Sequence, residues 1–208
     1  MSPRPHRPGG EFLRPPLPPE EPQRLESLRS YEILDSPPEQ AYDDLALLAS
    51  QICDTPIALV SFIDEHRQWF KATIGVDLVE TPRDLAFCAH AIAGQGTMVV
   101  PDVLADERFA QHPLATSEPK IRFYAGAPLR GERGHGLGTI CVLDRIPHNM
   151  TAKQQVALEA LSRQVMAQLE LRRQLAEVKR MAGLLPYCTH CCKLRTDLGD
   201  TCVDCLRQ

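Results

Sequence analysis

The stretch IRFYAGAPLRGERGHGLGTICVLD, Ile121–Asp144, guides the interpretation of the whole chain. Its first part, Ile121–Leu129, alternates apolar with polar or small residues, and its last part, Leu137–Leu143, is a nearly continuous apolar run. Both patterns are typical of buried strands. The intervening Arg130–Gly136 contains three glycines, which we expect to supply the positive φ values of a hairpin loop. We therefore predict an antiparallel hairpin.

Two further glycines fall inside these predicted strands. Gly126 and Gly138 weaken a strand, because glycine has no side chain to pack. A glycine in such a position often marks a bulge or a place where another group approaches the backbone closely. A hairpin built in this way can form the floor of a ligand pocket.

The composition is that of a globular protein with a substantial core. The 208 residues are 43% apolar and 24% charged, with a net charge of −4, which gives no general attraction to nucleic acid or anionic membranes. There is no run of 18 apolar residues and no secretory signal, so we expect a cytoplasmic protein without a membrane span. Eight cysteines in such a chain indicate reduced thiols or metal ligands.

Composition divides the chain into four predicted parts. Eight of the eighteen prolines lie near the N-terminus, where few residues can build a core. The parts are a disordered proline-rich extension (1–22), a mixed strand and helix domain (23–150), a long helix (151–185) and a cysteine-rich tail (186–208).

Within the mixed domain, apolar spacing predicts helices and strands in alternation. A helix is expected over 23–34, and Ser36-Pro-Pro-Glu39 matches a capping box that starts a second helix burying Leu45, Leu48 and Ile52. The other predicted elements are strands at 56–63, 68–74 and 98–100, and a short helix at 83–93. Strands joined by tight turns favour an antiparallel sheet covered by helices.

Four segments together resemble the GAF sensor domains, the modules that precede histidine kinase or diguanylate cyclase domains in bacterial sensors. The resemblance runs from about Arg24 to Leu171 and rests on FCAHAI at 87–92, on Pro101-Asp102 with Asp106 and Arg108-Phe109, and on both hairpin strands. It implies an α+β fold with a six-stranded antiparallel sheet, a helix pair on one face and a ligand cleft on the other.

The resemblance also implies a ligand site, although the ligand itself stays unidentified. The single asparagine, Asn149, rules out the cyclic-nucleotide signature of the family. At the cleft mouth, we expect an Asp–Arg pair that braces a loop rather than a catalytic dyad. The expected ligand-binding residues are Trp69, Phe87, Cys88, His90, Asp102, Phe109, Phe123, Tyr124 and Gly126, and no residue is expected to be catalytic.

A thiol-dependent reductase, similar to the GAF-fold enzymes that reduce free methionine sulfoxide, is the alternative. Such chemistry needs a nucleophilic thiolate and a resolving thiol within reach. The thiols of the mixed domain are Cys53, Cys88 and Cys141. Cys53 closes a helix and Cys141 lies in an apolar strand, so both are expected to be inert, and we expect a protein without enzymatic activity.

The long helix predicted at 151–185 begins with a second capping box, Thr151-Ala-Lys-Gln154. Its later apolar residues keep the 4-3-4-3 spacing of a coiled-coil seam. This pattern predicts a parallel homodimer, the alternative being a helix that packs only on its own sheet. The seam consists of Leu171, Leu175, Val178, Ala182 and Leu185.

The tail has two CxxC pairs separated by ten residues, Cys188-Thr-His-Cys191 and Cys202-Val-Asp-Cys205. Each CxxC turn can present two thiolates to one ion, so the pattern predicts a small structural zinc knuckle with four cysteine ligands. His190 or Cys192 could replace one ligand. The alternative is four cysteines that are unrelated or form disulfides.

These observations lead to one hypothesis for the whole chain. It is a stand-alone, non-enzymatic GAF-type sensor that binds a small ligand and acts through a partner protein, contacted by the tail or the long helix. The tail from Gly183 balances Lys193, Arg195 and Arg207 against three aspartates, so a nucleic-acid partner is not expected.

Overall fold

The structure, a computed structural model, describes residues 12–184. The chain divides into two compact units, residues 1–169 and 170–208. The elements in chain order are α1 (Glu21–Arg29), α2 (Gln40–Cys53), β1 (Ile57–Ile63), β2 (Arg67–Ile74), β3 (Glu80–Pro82), α3 (Phe87–Ala93), β4 (Met98–Val100), α4 (Pro113–Thr116), β5 (Phe123–Arg130), β6 (Gly136–Asp144) and α5 (Ala152–Leu184).

The six strands form one antiparallel sheet in the order β3-β2-β1-β6-β5-β4. This confirms the predicted α+β fold with flanking helices. β1 and β6 are central and buried along their whole length, which explains why both read as apolar runs rather than as alternating strands. The three-residue strand β3 was missed, because Glu80-Thr-Pro82 has neither apolar pattern nor length.

One face of the sheet is covered by α2 and by the first half of α5. Apolar side chains from both helices, all buried, pack against alternate strand residues. We call this side the helix face. Its members include Leu45, Ala49, Val60, Phe62, Trp69, Phe123, Ala127, Ile140, Leu158 and Val165.

The opposite face is covered by the short helix α3 and by the irregular chain around α4. Its core also contains apolar residues, but it holds buried groups with polar atoms as well. We call this side the cleft face, since it is the side on which the sequence predicts the ligand site. Its members include Leu59, Ile63, Phe87, Cys88, Ile92, Phe109, Tyr124 and Cys141.

The hairpin that carries the family resemblance is present as β5 and β6, with an irregularity in the pairing at Leu129/Arg130. Of its three loop glycines, only Gly134 has a positive φ, at 80°. The expectation that all three supply this conformation is therefore wrong. Gly136 serves packing instead, because a Cβ there would lie 2.7 Å from the backbone oxygen of Ile92.

The strand glycine Gly138 has the role that its position suggested. A Cβ at Gly138 would lie 1.9 Å from the backbone oxygen of Ser61 on the neighbouring strand β1. Real Cβ atoms cannot come this close to a backbone atom, so the central strands can pair here only around a glycine.

The start of α2 differs from the sequence prediction. The helix begins at Gln40, after Glu39, and Ser36 does not cap it. The Ser36 hydroxyl instead donates to the backbone oxygen of Ile33 at 2.7 Å and accepts from the Lys71 ammonium group at 2.8 Å. The paired prolines at 37 and 38 keep Ser36 away from the helix terminus.

The buried face of α2 also differs from the predicted one. Leu45 is buried as expected, whereas Leu48 and Ile52 are 44% and 41% exposed. Tyr42, Ala46 and Ala49 are buried against the sheet in their place.

Helix α1 is held to the rest of the first unit by a buried charge cluster. The Arg24 guanidinium, 1% exposed, forms two hydrogen bonds of 2.7 Å with the Glu21 carboxylate. The same carboxylate accepts a 2.6 Å bond from Arg83, which follows β3. Burial opposes ionisation of Glu21, yet the bonds from Arg24 and Arg83 outweigh it and lower the pKa of this carboxyl.

Helix α5 begins with the predicted capping box. The Gln154 backbone N–H donates to the Thr151 hydroxyl at 3.3 Å, and the Gln154 side-chain oxygen accepts from the Thr151 backbone N–H at 2.9 Å. In the second unit, Leu171, Leu175 and Val178 are each about half exposed. The coiled coil and the homodimer that they would form stay predictions.

The zinc knuckle predicted at 186–208 lies outside the described residues, as do residues 1–11 of the proline-rich extension. None of the described helices is both long enough and apolar enough to cross a membrane.

Candidate functional site

The site begins at the middle of β5, where successive residues point to opposite faces of the sheet. Tyr124 lies on the cleft face and is fully buried. Gly126 follows two residues later on the same face, and a Cβ there would lie 2.1 Å from the Tyr124 hydroxyl oxygen. The absence of a side chain at Gly126 therefore lets the Tyr124 ring lean along its own strand and place its hydroxyl beneath α3.

Two of the predicted ligand residues lie on the other side of the sheet. Trp69 and Phe123 belong to the helix face, where Trp69 stacks on Phe62 with 6.5 Å between ring centroids. Their placement follows from strand alternation, since Phe123 immediately precedes Tyr124. The prediction that these two rings line the cleft is corrected on this ground.

Helix α3 brings three predicted residues to the cleft face. Phe87 and Cys88 are buried, and His90 is partly exposed. The Phe87 ring lies 5.1 Å from that of Phe109, and the His90 ring lies 4.9 Å from the same ring, both edge to face. Phe109 thus contacts both of these α3 side chains in one aromatic layer.

The centre of this layer is His112, a residue absent from the predicted site. It is fully buried, and its ring lies 4.5 Å from that of Phe87. His112 Nδ1 accepts the Leu114 backbone N–H at 3.2 Å and so caps α4. The neutral ring then carries its proton on Nε2, which has no hydrogen-bond partner among the described residues. We refer to Phe87, His90, Phe109 and His112 as the aromatic–histidine cluster.

Both histidines are held in the neutral form. Burial lowers the pKa of His112 to about 4, and the neighbouring His90 adds to this effect. Burial likewise lowers the pKa of His90 to about 4, with a further contribution from the positive charge of Arg108. At neutral pH the cluster therefore offers uncharged imidazole rings, which suit a neutral hydrogen-bonding ligand better than an anion.

A segment near the N-terminus crosses the mouth of this cluster. The Phe12 ring lies 5.1 Å from that of His112, edge to face, and the Leu13 backbone is hydrogen-bonded to His90. Arg14 reaches an exposed ion pair with Asp84 at 3.2 Å. Residues 12–14, which we call the strap, thus pack against the aromatic–histidine cluster on the cleft face.

The loop beside the cluster is braced by two Asp–Arg pairs, as expected. Asp102 receives two hydrogen bonds from Arg122, at 2.9 and 2.7 Å, and Asp106 receives two from Arg108, at 2.9 and 2.6 Å. The bonds from Arg122 lower the pKa of Asp102. Both acids are ionised and already paired, so neither is free to act as a general acid.

The thiols are arranged differently from the sequence interpretation. Cys88 Sγ lies 3.6 Å from Cys141 Sγ, and both side chains are buried between α3 and β6. Cys53 stands apart at the end of α2, and burial raises its pKa to about 11. Cys141, which we expected to be an inert thiol, therefore lies directly beside Cys88. Cys141 was judged inert because its strand is apolar, but alternate residues of that strand lie on the face that carries Cys88.

His112 and Cys141 could have been found from local sequence signals. Proline favours the first position of a helix and disfavours the helical conformation in the residue before it, so His112 is expected at the N-cap, where its ring nitrogen can accept a backbone N–H. In β6, period-two alternation places Thr139 and Cys141 on one face of a strand that is buried on both sides. Polar atoms in such a strand need partners, which points to a cluster opposite them.

A separate groove of about 670 Å³ lies at the sheet edge near β2 and β3. Its central cation, Arg67, is already bonded to Asp35, Asp64 and Glu80. Because these three carboxylates satisfy the guanidinium, Arg67 is not free to bind an anion in this groove. Within residues 12–184, no three His, Cys, Asp or Glu side chains are placed to hold a metal ion.

Comparison with known proteins supports the assignment of the fold. The sequence model of the GAF domain family matches residues 37–169. Structures that resemble the chain include the GAF domain of an Acinetobacter phosphoenolpyruvate-protein phosphotransferase, at 19% identity and a TM-score of 0.51 over 71% of this chain and 93% of that one. Another is free methionine-R-sulfoxide reductase from Neisseria meningitidis, at 17% identity and a TM-score of 0.54 over 78% and 98%.

A cyclic di-GMP phosphodiesterase from Pseudomonas aeruginosa is 40% identical over 171 residues, which is 82% of this chain. The chain spans 29% of the length of that relative. A similarity of this extent to a protein named as an enzyme contradicts the expectation that the protein has no enzymatic activity. That expectation rested on the absence of catalytic motifs from the sequence. The similarity to the Pseudomonas enzyme corrects it.

Proposed function

Because the chain belongs to the GAF domain family, we propose that its first unit is a ligand-sensing domain that controls the turnover of cyclic di-GMP in the cytoplasm. The ligand binds on the cleft face at the aromatic–histidine cluster. Binding changes the hydrolysis of cyclic di-GMP by the phosphodiesterase to which the domain is coupled.

The observation that carries the sensing role is the buried Nε2–H of His112. A buried donor without an acceptor costs free energy, of about 1–3 kcal/mol, and a ligand that supplies the acceptor would recover it. The rings of Phe87 and Phe109 flank this donor. Such an arrangement suits a small planar ligand with a carbonyl or ring-nitrogen acceptor.

The strap contacts the same two histidines at which we propose that the ligand binds. Phe12 covers His112, and the Leu13 backbone satisfies one hydrogen-bonding group of His90. We therefore propose that ligand entry and strap release are coupled, so that strap position reports occupancy of the cleft.

The output is inferred from the Pseudomonas relative. Its name assigns cyclic di-GMP hydrolysis to a protein of which this chain matches less than a third. The test is hydrolysis of cyclic di-GMP by the full 208-residue chain, and by a chimera in which the chain replaces the matching segment of that enzyme. We expect His112→Gln to change the rate of the chimera severalfold, because it alters the ligand-facing donor.

The matched control is Leu47→Ala on the exposed side of α2, where the side chain is 43% exposed. It should leave the rate unchanged. If the His112 variant is folded, as judged by circular dichroism, and hydrolyses cyclic di-GMP at the unaltered rate under all conditions tested, the regulatory role is refuted.

A thiol-dependent reductase is the second candidate, favoured by the 3.6 Å separation of Cys88 and Cys141 sulfurs. A nucleophilic and a resolving thiol at this distance satisfy the basic requirement of such an enzyme. The test is turnover of free methionine sulfoxide with a dithiol reductant. Loss of turnover in Cys88→Ser, with turnover kept in Cys53→Ser, would support it, and no turnover in the unaltered chain would remove it.

We further propose that the chain forms a parallel homodimer through the second half of α5. The support is the row of half-exposed apolar residues Leu171, Leu175 and Val178 at coiled-coil spacing. Sedimentation equilibrium should give twice the chain mass. Leu175→Glu should yield the monomer, whereas Lys153→Glu near the start of the helix should not.

Zinc binding by Cys188, Cys191, Cys202 and Cys205 is proposed from their spacing alone. Metal analysis of the purified full chain should find one zinc per chain. Cys191→Ser should lose the metal and Cys53→Ser should keep it. A chain purified without metal would refute the zinc site and favour the alternative that the four cysteines are unrelated or form disulfides. The partner protein that the tail or helix would contact is likewise a proposal.

A further inference from the structure

A buried polar network connects α3 to the two central strands of the sheet. Its core is the thiol pair, Cys88 on α3 and Cys141 on β6, with 3.6 Å between the sulfurs. The Tyr124 hydroxyl donates to Cys88 Sγ at 3.4 Å. All three side chains are shielded from solvent, at 2% exposure or less.

Hydroxyl groups from β1 and β6 extend the network. The oxygens of Ser61 and Thr139 lie 3.5 Å apart, and Gln68 donates to Ser61 at 2.8 Å. A sheet interior contains such groups only when they are hydrogen-bonded to one another, because an unpaired buried polar atom is costly. The network therefore has a fixed geometry around the Cys88 sulfur.

The network favours a charged sulfur at Cys88. Burial alone would oppose the thiolate, but hydrogen bonds from Cys141, Thr139 and Tyr124 outweigh burial and lower the pKa of Cys88 to about 6. The bond with Cys88, followed by burial, raises the pKa of Cys141. One sulfur of the pair is thus prepared as a nucleophile and the other as a neutral thiol beside it.

The placement of Tyr124 depends on Gly126. The Tyr124 hydroxyl lies where a Cβ of residue 126 would be, at 2.1 Å. Any larger residue must push the ring away from Cys88. The strand glycine that marks the hairpin in the sequence therefore positions a hydrogen-bond donor on a thiol.

We propose that Cys88 and Cys141 form an oxidation site for a small hydroperoxide and are converted to an intradomain disulfide between α3 and β6. The Cys88 thiolate attacks one peroxide oxygen, the O–O bond breaks, and the departing hydroxide takes a proton to become water. The Cys141 thiol then attacks the sulfenic sulfur of Cys88 and releases a second water. In sum, two thiols and one hydrogen peroxide give one disulfide and two waters, and a dithiol reductant reverses the change by exchange.

The movement required is small. Bonded sulfurs lie about 2.05 Å apart, so the two sulfur atoms must approach each other by roughly 1.5 Å. Helix α3 has seven residues, of which His90 is partly exposed. Five of these residues are buried, and local opening of this short helix admits a molecule the size of hydrogen peroxide to the thiols. Neither the cyclic di-GMP output nor methionine sulfoxide turnover is needed for this chemistry.

The experiment treats the reduced full chain with hydrogen peroxide, blocks the remaining thiols, and maps each cysteine by peptide mass spectrometry. We expect a linked pair of peptides containing residues 88 and 141. Cys141→Ser should stop at a sulfenic acid on Cys88, which dimedone traps. Cys88→Ser should leave Cys141 unreacted, and Cys53→Ser, the control, should form the same disulfide as the unaltered chain.

Two further variants separate the proposed network from a simple effect on folding. Tyr124→Phe keeps the ring and removes one hydrogen bond to the thiolate, so Cys88 oxidation at pH 5, below the pKa of about 6, should slow by about fivefold. Gly126→Ala should slow it as well, whereas Gly96→Ala, where an added Cβ would meet nothing within 4 Å, should not. Peroxide that links only tail cysteines, or equal rates in Tyr124→Phe and the unaltered folded chain, would overturn the proposal.

Discussion

The two faces of one sheet differ in what they bury. The helix face is packed with apolar side chains from α2, α5 and alternate strand residues. The cleft face buries His112, Cys88, Cys141 and Tyr124 among its apolar neighbours, each with a polar atom. The strands are shared, so the difference arises from which residues occupy alternate strand positions and from the segments that cover each face, since Cys88 and His112 lie outside the strands.

This difference shows how a domain of this size can be both stable and chemically active. The helix face supplies free energy of folding through apolar burial, which requires no particular chemistry. The cleft face gives up part of that free energy to hold groups whose state can change. Substitutions on the first face should therefore alter stability alone, whereas substitutions on the second should also alter pH and thiol behaviour.

The largest stability effect is expected on the helix face. Phe62→Ala removes a fully buried ring and should lower the free energy of unfolding by about 3–5 kcal/mol. Urea denaturation measures the loss. Leu48→Ala on the exposed side of α2 is the control and should stay within about 0.5 kcal/mol. A similar loss in both variants would contradict the assignment of the core.

The next largest effect is the pH dependence of the free energy of unfolding, which we expect to differ between variants of the two faces. Because burial lowers the pKa of His112 to about 4 from 6.5, the unfolded chain binds a proton in this range that the folded chain does not. The free energy of unfolding should therefore fall as the pH falls from about 6.5 to 4, with up to about 3 kcal/mol from this residue.

The measurement is the urea midpoint at several pH values for the unaltered chain and for His112→Gln. The variant should lose part of the pH dependence between 4 and 6.5, even if it is less stable overall. Parallel curves for the two proteins would show that His112 is not held neutral by the fold. Phe62→Ala, on the opposite face, should shift the curve without changing its slope.

The smallest effect concerns the start of α5. Thr151→Ala removes the hydroxyl that accepts from Gln154 and should cost about 1 kcal/mol of unfolding free energy. Thermal unfolding followed by circular dichroism measures it, with the exposed Lys153→Ala as the control. Peroxide oxidation of Cys88 should be unaffected, because the cap lies on the helix side of the sheet. A change in the oxidation rate of Cys88 would contradict the prediction that the two faces act independently.

The sequence was sufficient for much of the fold. Apolar runs at β1, β5 and β6 and the cap at Thr151 are local signals, and the structure has them within two residues of prediction. The cap at Ser36 failed, because its hydroxyl is taken by Ile33 and Lys71. Lys71 is 35 residues away, and no local pattern registers such a contact.

The site was harder to predict from the sequence for the same reason. Phe87, Cys88 and His90 were found from one motif, but their partners come from distant segments. Cys141 is 53 residues from Cys88, and Phe12 reaches His112 from a part of the chain that composition alone marks as disordered. Which face Phe123 occupies depends on strand register, and a shift of one residue would exchange it with Tyr124.

The charge cluster that docks α1 sets a practical limit on how the chain can be shortened. The family match begins at residue 37, yet Glu21 neutralises Arg83 from outside it, and Leu28 and Ile33 are fully buried. A fragment that begins at residue 37 would expose the apolar surface that α1 covers and would leave the Arg83 guanidinium without its carboxylate partner. We therefore expect the smallest piece that folds by itself to begin at or before Glu20, well ahead of the first residue matched by the family.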